Sequence, residues 1–317
     1  MEALTSPRAL WGWFVLLLVM GVGTPLVPVS SPLVALVGGV VLLLVYLAGV
    51  MAIALCIARR QLAPLYLVVA LGVALAWWSV GQFVFIDRII EPFNGYLRAN
   101  NGFPQWWQLL LARTARQLTA LSLVFASMFG GALVARLIKS RNMIGPICAM
   151  IALIDIWGVL FGGIVTQLMT NPVTAGASKV AFAPSPQFNT ASLPPGAPPL
   201  PDVSASIGAG DYLFLGLLFA ALVTLGMNWR GAAWLTYPLV AIALLGVAAG
   251  IPALPGLLFI GLGVALPNLK HFRYTREEAF ALLYAGIFVI ILTVALYFYL
   301  LHQLAAQAKV PTTGTGG

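Results

Sequence analysis

Nine long stretches of this chain are almost free of charge: residues 9–29, 33–57, 62–86, 117–138, 143–169, 207–228, 232–250, 252–268 and 277–303. A helix needs about 20 apolar residues to cross about 30 Å of hydrocarbon at 1.5 Å per residue, and most of these stretches come close to or exceed that length. Charged residues make up 8% of the 317 positions and apolar ones 61%, whereas a soluble domain carries roughly 25% charge. An ordinary soluble enzyme is therefore excluded. The pattern predicts an all-α, polytopic transmembrane bundle of about nine helices, forming one membrane domain over residues 1–306 with a polar, glycine-rich tail at 307–317.

Two connections stand out. Residues 87–116 carry charges and the cluster Phe103, Trp106 and Trp107, a composition suited to a short amphipathic helix anchored at the head groups. Residues 171–206 contain Pro184, Pro186, Pro194, Pro195, Pro198, Pro199 and Pro201. Proline lacks the backbone donor and clashes with the preceding turn, so a flexible or extended loop outside the bilayer is expected there.

The net charge of +8 arises from 16 basic and 8 acidic residues. With nine spans, ten of the basic residues fall on one side, from Arg8 through Arg59, Arg60, Arg136 and Arg141 to Arg276, and six on the other. This bias predicts a cytoplasmic amino terminus, with the proline-rich loop on the opposite face. The basic residues lie singly or in short groups, so no nucleic-acid partner is expected. Cys56 and Cys148 sit in or beside apolar segments as small buried hydrophobes; neither a thiolate metal site nor a His-Glu-x-x-His motif is present, and no metal or cofactor is expected.

Of the eight acids, Asp155 alone lies deep in a span, within Ile151-Ala152-Leu153-Ile154-Asp155-Ile156-Trp157. A carboxylate at that depth costs a few kcal/mol to insert and requires a partner or a water-filled interior. Asp211 opens the next span, after Gly208-Ala209-Gly210, where the glycines permit close helix approach and the helix start favours negative charge. Consecutive antiparallel spans can bring the two acids together. Two carboxylates held close share one proton, so one can activate water while the other polarises a peptide carbonyl. Equally, Asp155 can bond a neighbouring helix or line an ion path, and Asp211 can cap its own helix.

Ile154-Asp155, Gly208-Ala209-Gly210-Asp211 and Pro252-Ala253-Leu254, in that order, resemble the motif set of the presenilin and signal peptide peptidase family of intramembrane aspartyl proteases. The likeness spans roughly residues 143–270, with Ile154 in place of the family's tyrosine. It implies a presenilin-like fold, catalysis by Asp155 and Asp211, and support of the substrate site by Gly208, Gly210, Pro252, Ala253 and Leu254. It also implies hydrolysis of transmembrane or membrane-bound peptide segments without a cofactor, by a multi-pass protein of a prokaryotic cytoplasmic membrane in contact with lipid. Short loops and no soluble recognition domain favour activity without partner subunits. The alternatives are a prepilin-type leader peptidase, which also uses membrane aspartates and a Gly-x-Gly-Asp motif, and a proton- or ion-coupled transporter.

Overall fold

The structure is a computed structural model that describes residues 6–99, 105–156, 182–184, 186, 188, 206–248 and 254–308. Its helices in chain order are α1 (Pro7–Gly23), α2 (Pro32–Arg60), α3 (Pro64–Val80), α4 (Glu91–Ala99), α5 (Trp106–Val134), α6 (Ile144–Ile156), α7 (Ala209–Thr224), α8 (Trp229–Ala248), α9 (Gly256–Ala265) and α10 (Arg276–Ala308). The protein is an all-α membrane bundle. Four helical stretches among the described residues are long and apolar enough to span a bilayer: Ala9–Leu26, Pro32–Arg60, Pro64–Leu97 and Trp106–Leu137. Their outward faces are apolar, with Leu65 70% and Val73 64% exposed on α3; a soluble monomer rarely presents so continuous a greasy surface, and here it faces lipid.

Several helices start where local chemistry dictates. Proline occupies the first turn of α1, α2 and α3, where its missing N–H costs nothing and its fixed φ suits the helix. The basic pair Arg59 and Arg60 closes α2, opposite in sign to the helix C-terminus, before Gln61 turns the chain with φ 42°.

The connection expected at 87–116 is more regular than its charges suggest. Helix α3 runs without a break through a π-helical stretch, Gly81–Ile90, into α4, and α5 already begins at Trp106. Five-residue π spacing brings Gln82 over Asp87, and the Gln82 amide donates to the Asp87 carboxylate at 3.1 Å. Glu91 of α4 then pairs with Arg116 of α5, an exposed ion pair that contributes little energy. Trp106 stays 75% exposed at the helix start, as an interfacial anchor should; Phe103 lies outside the described residues.

A second departure from the expected all-helical pattern lies in the proline-rich connection. Phe182–Pro184 pairs antiparallel with Ser206–Gly208, forming strands β1 and β2. Prediction from proline content misses this because Pro184 ends its strand, a position where a missing donor is tolerated. The ladder also pairs backbone on the approach to α7. The remainder of 171–206 except positions 182–184, 186, 188 and 206, and the tail from 309, lie outside the described residues.

The core runs through α2, α5 and α7, with Tyr46, Ile53, Val124, Met128, Leu218 and Phe219 at most 1% exposed. Helices α5 and α7 touch backbone to backbone. A Cβ on Gly131 would strike the Leu213 carbonyl and Leu217 N, and one on Gly216 would lie 2.8 Å from Met128 Cα. Small residues at such crossings bring backbones into van der Waals contact, which is what holds helices together where lipid is as apolar as leucine.

Three connections gather at one end of the bundle. Between α5 and α6, Arg141 Nε donates to the Leu225 carbonyl at 2.9 Å, and Asn142 exchanges bonds with the Arg273 backbone at 3.0 and 2.6 Å. Asn228 N donates to Asn268 Oδ1 at 2.8 Å. Arg136 reaches the Leu62 carbonyl, and Arg59 lies over the Trp229 ring. The basic residues assigned to one side by counting spans, from Arg59 to Arg273, thus meet at one end.

The helix crossing makes a direct prediction. Gly216→Ala is expected to cost about 1–3 kcal/mol through overpacking, seen as a lower unfolding midpoint in detergent. Gly72→Ala, with nothing within 4 Å of the new Cβ, should be neutral or gain up to about 1 kcal/mol. Equal midpoints for the two variants would refute the close crossing.

Candidate functional site

Helix α6 presents one stripe to α9. Cys148 and Ile151 are both 3% exposed, and Asp155 follows at the next position of the same spacing, two turns beyond Cys148. The stripe lies close to its neighbour because Gly261 of α9 faces it: a Cβ there would stand 3.0 Å from the Cys148 carbonyl. The opposite side of α9 is also glycine, with Gly263 against Thr236 of α8. Thus α9 is wedged between α6 and α8 with its amino end beside Asp155.

That amino end needs acceptors. At ten residues, about 15 Å, α9 is too short to cross a bilayer, and it starts within the bundle after Pro255. The first N–H groups of a helix have no partner inside it. Asp155 Oδ2 accepts from Leu257 N at 2.7 Å. A side chain of α6 therefore caps α9 from outside, and the helix N-terminus offers the carboxylate a favourable field.

Asp211 approaches the same point from α7. It sits in the first turn, where Gly208 N donates to Asp211 Oδ2 at 3.2 Å, half of a capping box. Its other oxygen faces α9: a Cβ built on Gly256 would meet Asp211 Oδ1 at 3.4 Å. Gly256 and Leu257 are neighbours in sequence, so the two carboxylates reach adjacent residues of one helix start. Both are half-buried. Along their helices Asp155 lies about 17 Å from Ile144, and Asp211 about 20 Å from Thr224, so both stand well inside the bundle from the basic end.

The structure brings together Asp155, Asp211 and Gly208, with Leu254 just before α9 and half-buried. Gly210 is exposed and would have nothing within 4 Å of an added Cβ; no crowding requires glycine there. Pro252 and Ala253 lie outside the described residues. Sequence inspection did not single out Gly256 or the Leu257 amide, although Pro255-Gly256 after the apolar triplet is a recognisable helix start. It also missed Tyr46, whose hydroxyl lies 2.9 Å from that of Tyr212, the residue after Asp211. Both rings are buried, and the bond ties α2 to the first turn of α7. Nothing in the local sequence links two positions 166 residues apart.

Comparison with protein-family models, with curated proteins and with solved structures returns no match. Among the described residues no group of three or more His, Cys, Asp or Glu side chains could hold a metal ion.

The capping bond can be tested apart from any activity. Asp155→Ala leaves the Leu257 amide without its acceptor and should lower stability by about 0.5–2 kcal/mol, while Asp155→Asn keeps a capping oxygen and should unfold close to wild type. Thermal unfolding in detergent reads the difference. An alanine variant as stable as wild type would mean the bond carries no weight.

Proposed function

We propose that the protein is an intramembrane aspartyl endopeptidase of the presenilin and signal peptide peptidase type, cleaving transmembrane or membrane-bound peptide segments with Asp155 and Asp211. The observation that carries this reading is the convergence of both carboxylates on the start of α9, Asp155 on the Leu257 amide at 2.7 Å and Asp211 beside Gly256. Two acids from different helices at one point, well inside an apolar bundle, are costly to maintain for packing alone.

The chemistry needs little more. One carboxylate is ionised and takes a proton from water as the water oxygen bonds to the peptide carbonyl carbon. The other is protonated and donates to the carbonyl oxygen, which becomes the hydroxyl of a tetrahedral intermediate. When the intermediate collapses, the C–N bond breaks, the amine nitrogen takes up a proton from the acid formed in the first step, and one hydroxyl of the intermediate returns its proton to the other carboxylate as the C=O of the product acid re-forms. Because the two carboxylates act as a pair, their titration belongs to the pair.

A helical substrate hides its carbonyls in its own hydrogen bonds and has to unwind before it can be cleaved. Strand β2, Ser206–Gly208, leads into α7 three residues before Asp211. An extended peptide paired along a strand edge gains main-chain hydrogen bonds, and pairing here supports its delivery to the carboxylates. The gathering of basic side chains at the opposite end of these helices supports an orientation with that end in the cytoplasm.

The test is cleavage of a library of transmembrane peptides by purified protein in lipid, with products located by mass spectrometry. Wild type is expected to cleave, and Asp155→Asn and Asp211→Asn, shown to be folded by circular dichroism, to lose at least about a hundredfold in rate. Cleavage that survives in either folded variant would overturn the assignment. Absence of cleavage together with ion or proton flux that depends on Asp155 would favour a transporter instead.

A further inference from the structure

At the basic end of the bundle, the turn between α5 and α6 meets the segment between α9 and α10 around an open pocket of about 470 Å³. It is lined by Ser140, Arg141, Asn142, Lys270, His271 and Arg273, three permanent cations and an imidazole with no acid among them. We propose that this pocket binds the phosphate ester of an anionic lipid head group.

The walls are built rather than incidental. Asn142 holds the two segments together: its Oδ1 accepts from Arg273 N at 3.0 Å, its Nδ2 donates to the Arg273 carbonyl at 2.6 Å, and its own carbonyl accepts from the Tyr274 hydroxyl at 3.1 Å. Ser140 Oγ accepts from Asn142 N at 3.2 Å and shapes the turn that carries Arg141. Arg141 spends its Nε on the Leu225 carbonyl, which fixes the guanidinium and leaves its outer N–H groups for a ligand. The bidentate fork of an arginine suits phosphate oxygens.

Charge and polar capacity are left over. Among the described residues Arg141, Lys270 and Arg273 form no salt bridge, and the Arg116–Glu91 pair lies on the far side of the bundle. His271 Nδ1 is enclosed with no hydrogen-bond partner. An unpaired enclosed nitrogen is unfavourable, and an oxygen seated beside the ring relieves it.

The occupant is amphipathic because exposed apolar residues adjoin the lining residues in the chain. Met143, next to Asn142, is 42% exposed, and Leu269, next to Lys270, is 58% exposed. A cationic pocket flanked by exposed apolar side chains at the ends of membrane helices offers both a site for a phosphate and a surface for acyl chains. Basic pockets between transmembrane helices bind anionic head groups for this reason.

The experiment uses the full chain purified in a neutral detergent. Native mass spectrometry measures binding of phosphatidylglycerol and, separately, of phosphatidylcholine; inorganic phosphate forms a third arm. The expected result is retention of phosphatidylglycerol over phosphatidylcholine, a roughly 30-fold weakening in the double variant Lys270→Gln/Arg273→Gln, and little change in Lys139→Gln, an exposed cation at the same end that does not line the pocket. Both residues of the double variant are exposed, and circular dichroism confirms that it is folded. Equal binding of the two lipids, or undiminished phosphatidylglycerol binding by the folded double variant, overturns the proposal. Inorganic phosphate bound through the same residues while the lipid is not overturns the assignment to lipid.

Discussion

A helix that begins inside a membrane protein brings unpaired N–H groups into a place where water cannot readily serve them. Helix α9 is such a helix, and the Asp155 carboxylate answers that need. The same contact makes Asp155 tolerable in an apolar span, because the helix start supplies donors and a favourable field to a charge that would otherwise be isolated. Each group solves the other's problem, and the arrangement of α6, α8 and α9 follows from keeping them together.

That arrangement rests on glycine at the contacts. Gly261 lets α9 approach the Cys148 carbonyl and Gly263 lets it approach Thr236, while Gly131 and Gly216 bring α5 and α7 into backbone contact. The second set matters to the site because α7 carries Asp211 in its first turn. Tyr46 then ties that turn to α2 through the Tyr212 hydroxyl. Asp211 is thereby held by its own helix start, by the crossing with α5 and by a buried hydrogen bond to α2. Preorganised positioning of this kind is what the proposed chemistry by two carboxylates requires, since a small displacement would separate the groups.

The two ends of the helices have opposite characters. One gathers the cations of the connecting turns and ties them with Arg141, Asn142, Asn228 and Asn268. The other leads through a short antiparallel ladder into the carboxylates. Since the ladder comes from the proline-rich connection, a segment expected to be flexible or extended supplies extended backbone beside the acids.

The membrane character, the principal spans and the two unusual aspartates were legible in the sequence, because hydrocarbon thickness and the cost of burying charge act on each segment locally. So was the segregation of basic residues, which depends only on the order of spans. The continuity of α3 through Gly81–Ile90 into α4 was not, since Asp87, Arg88 and Glu91 interrupt the apolar run while the backbone remains helical. Nor were the strand pair, the Tyr46–Tyr212 bond or the meeting of Asp155 and Asp211 at Gly256 and Leu257. These join residues far apart in the chain, and which faces meet is decided by helix rotation and crossing. The sequence alone determined that carboxylates would be buried in a membrane; only tertiary packing decided where they point, because donors for them come from another helix's open end.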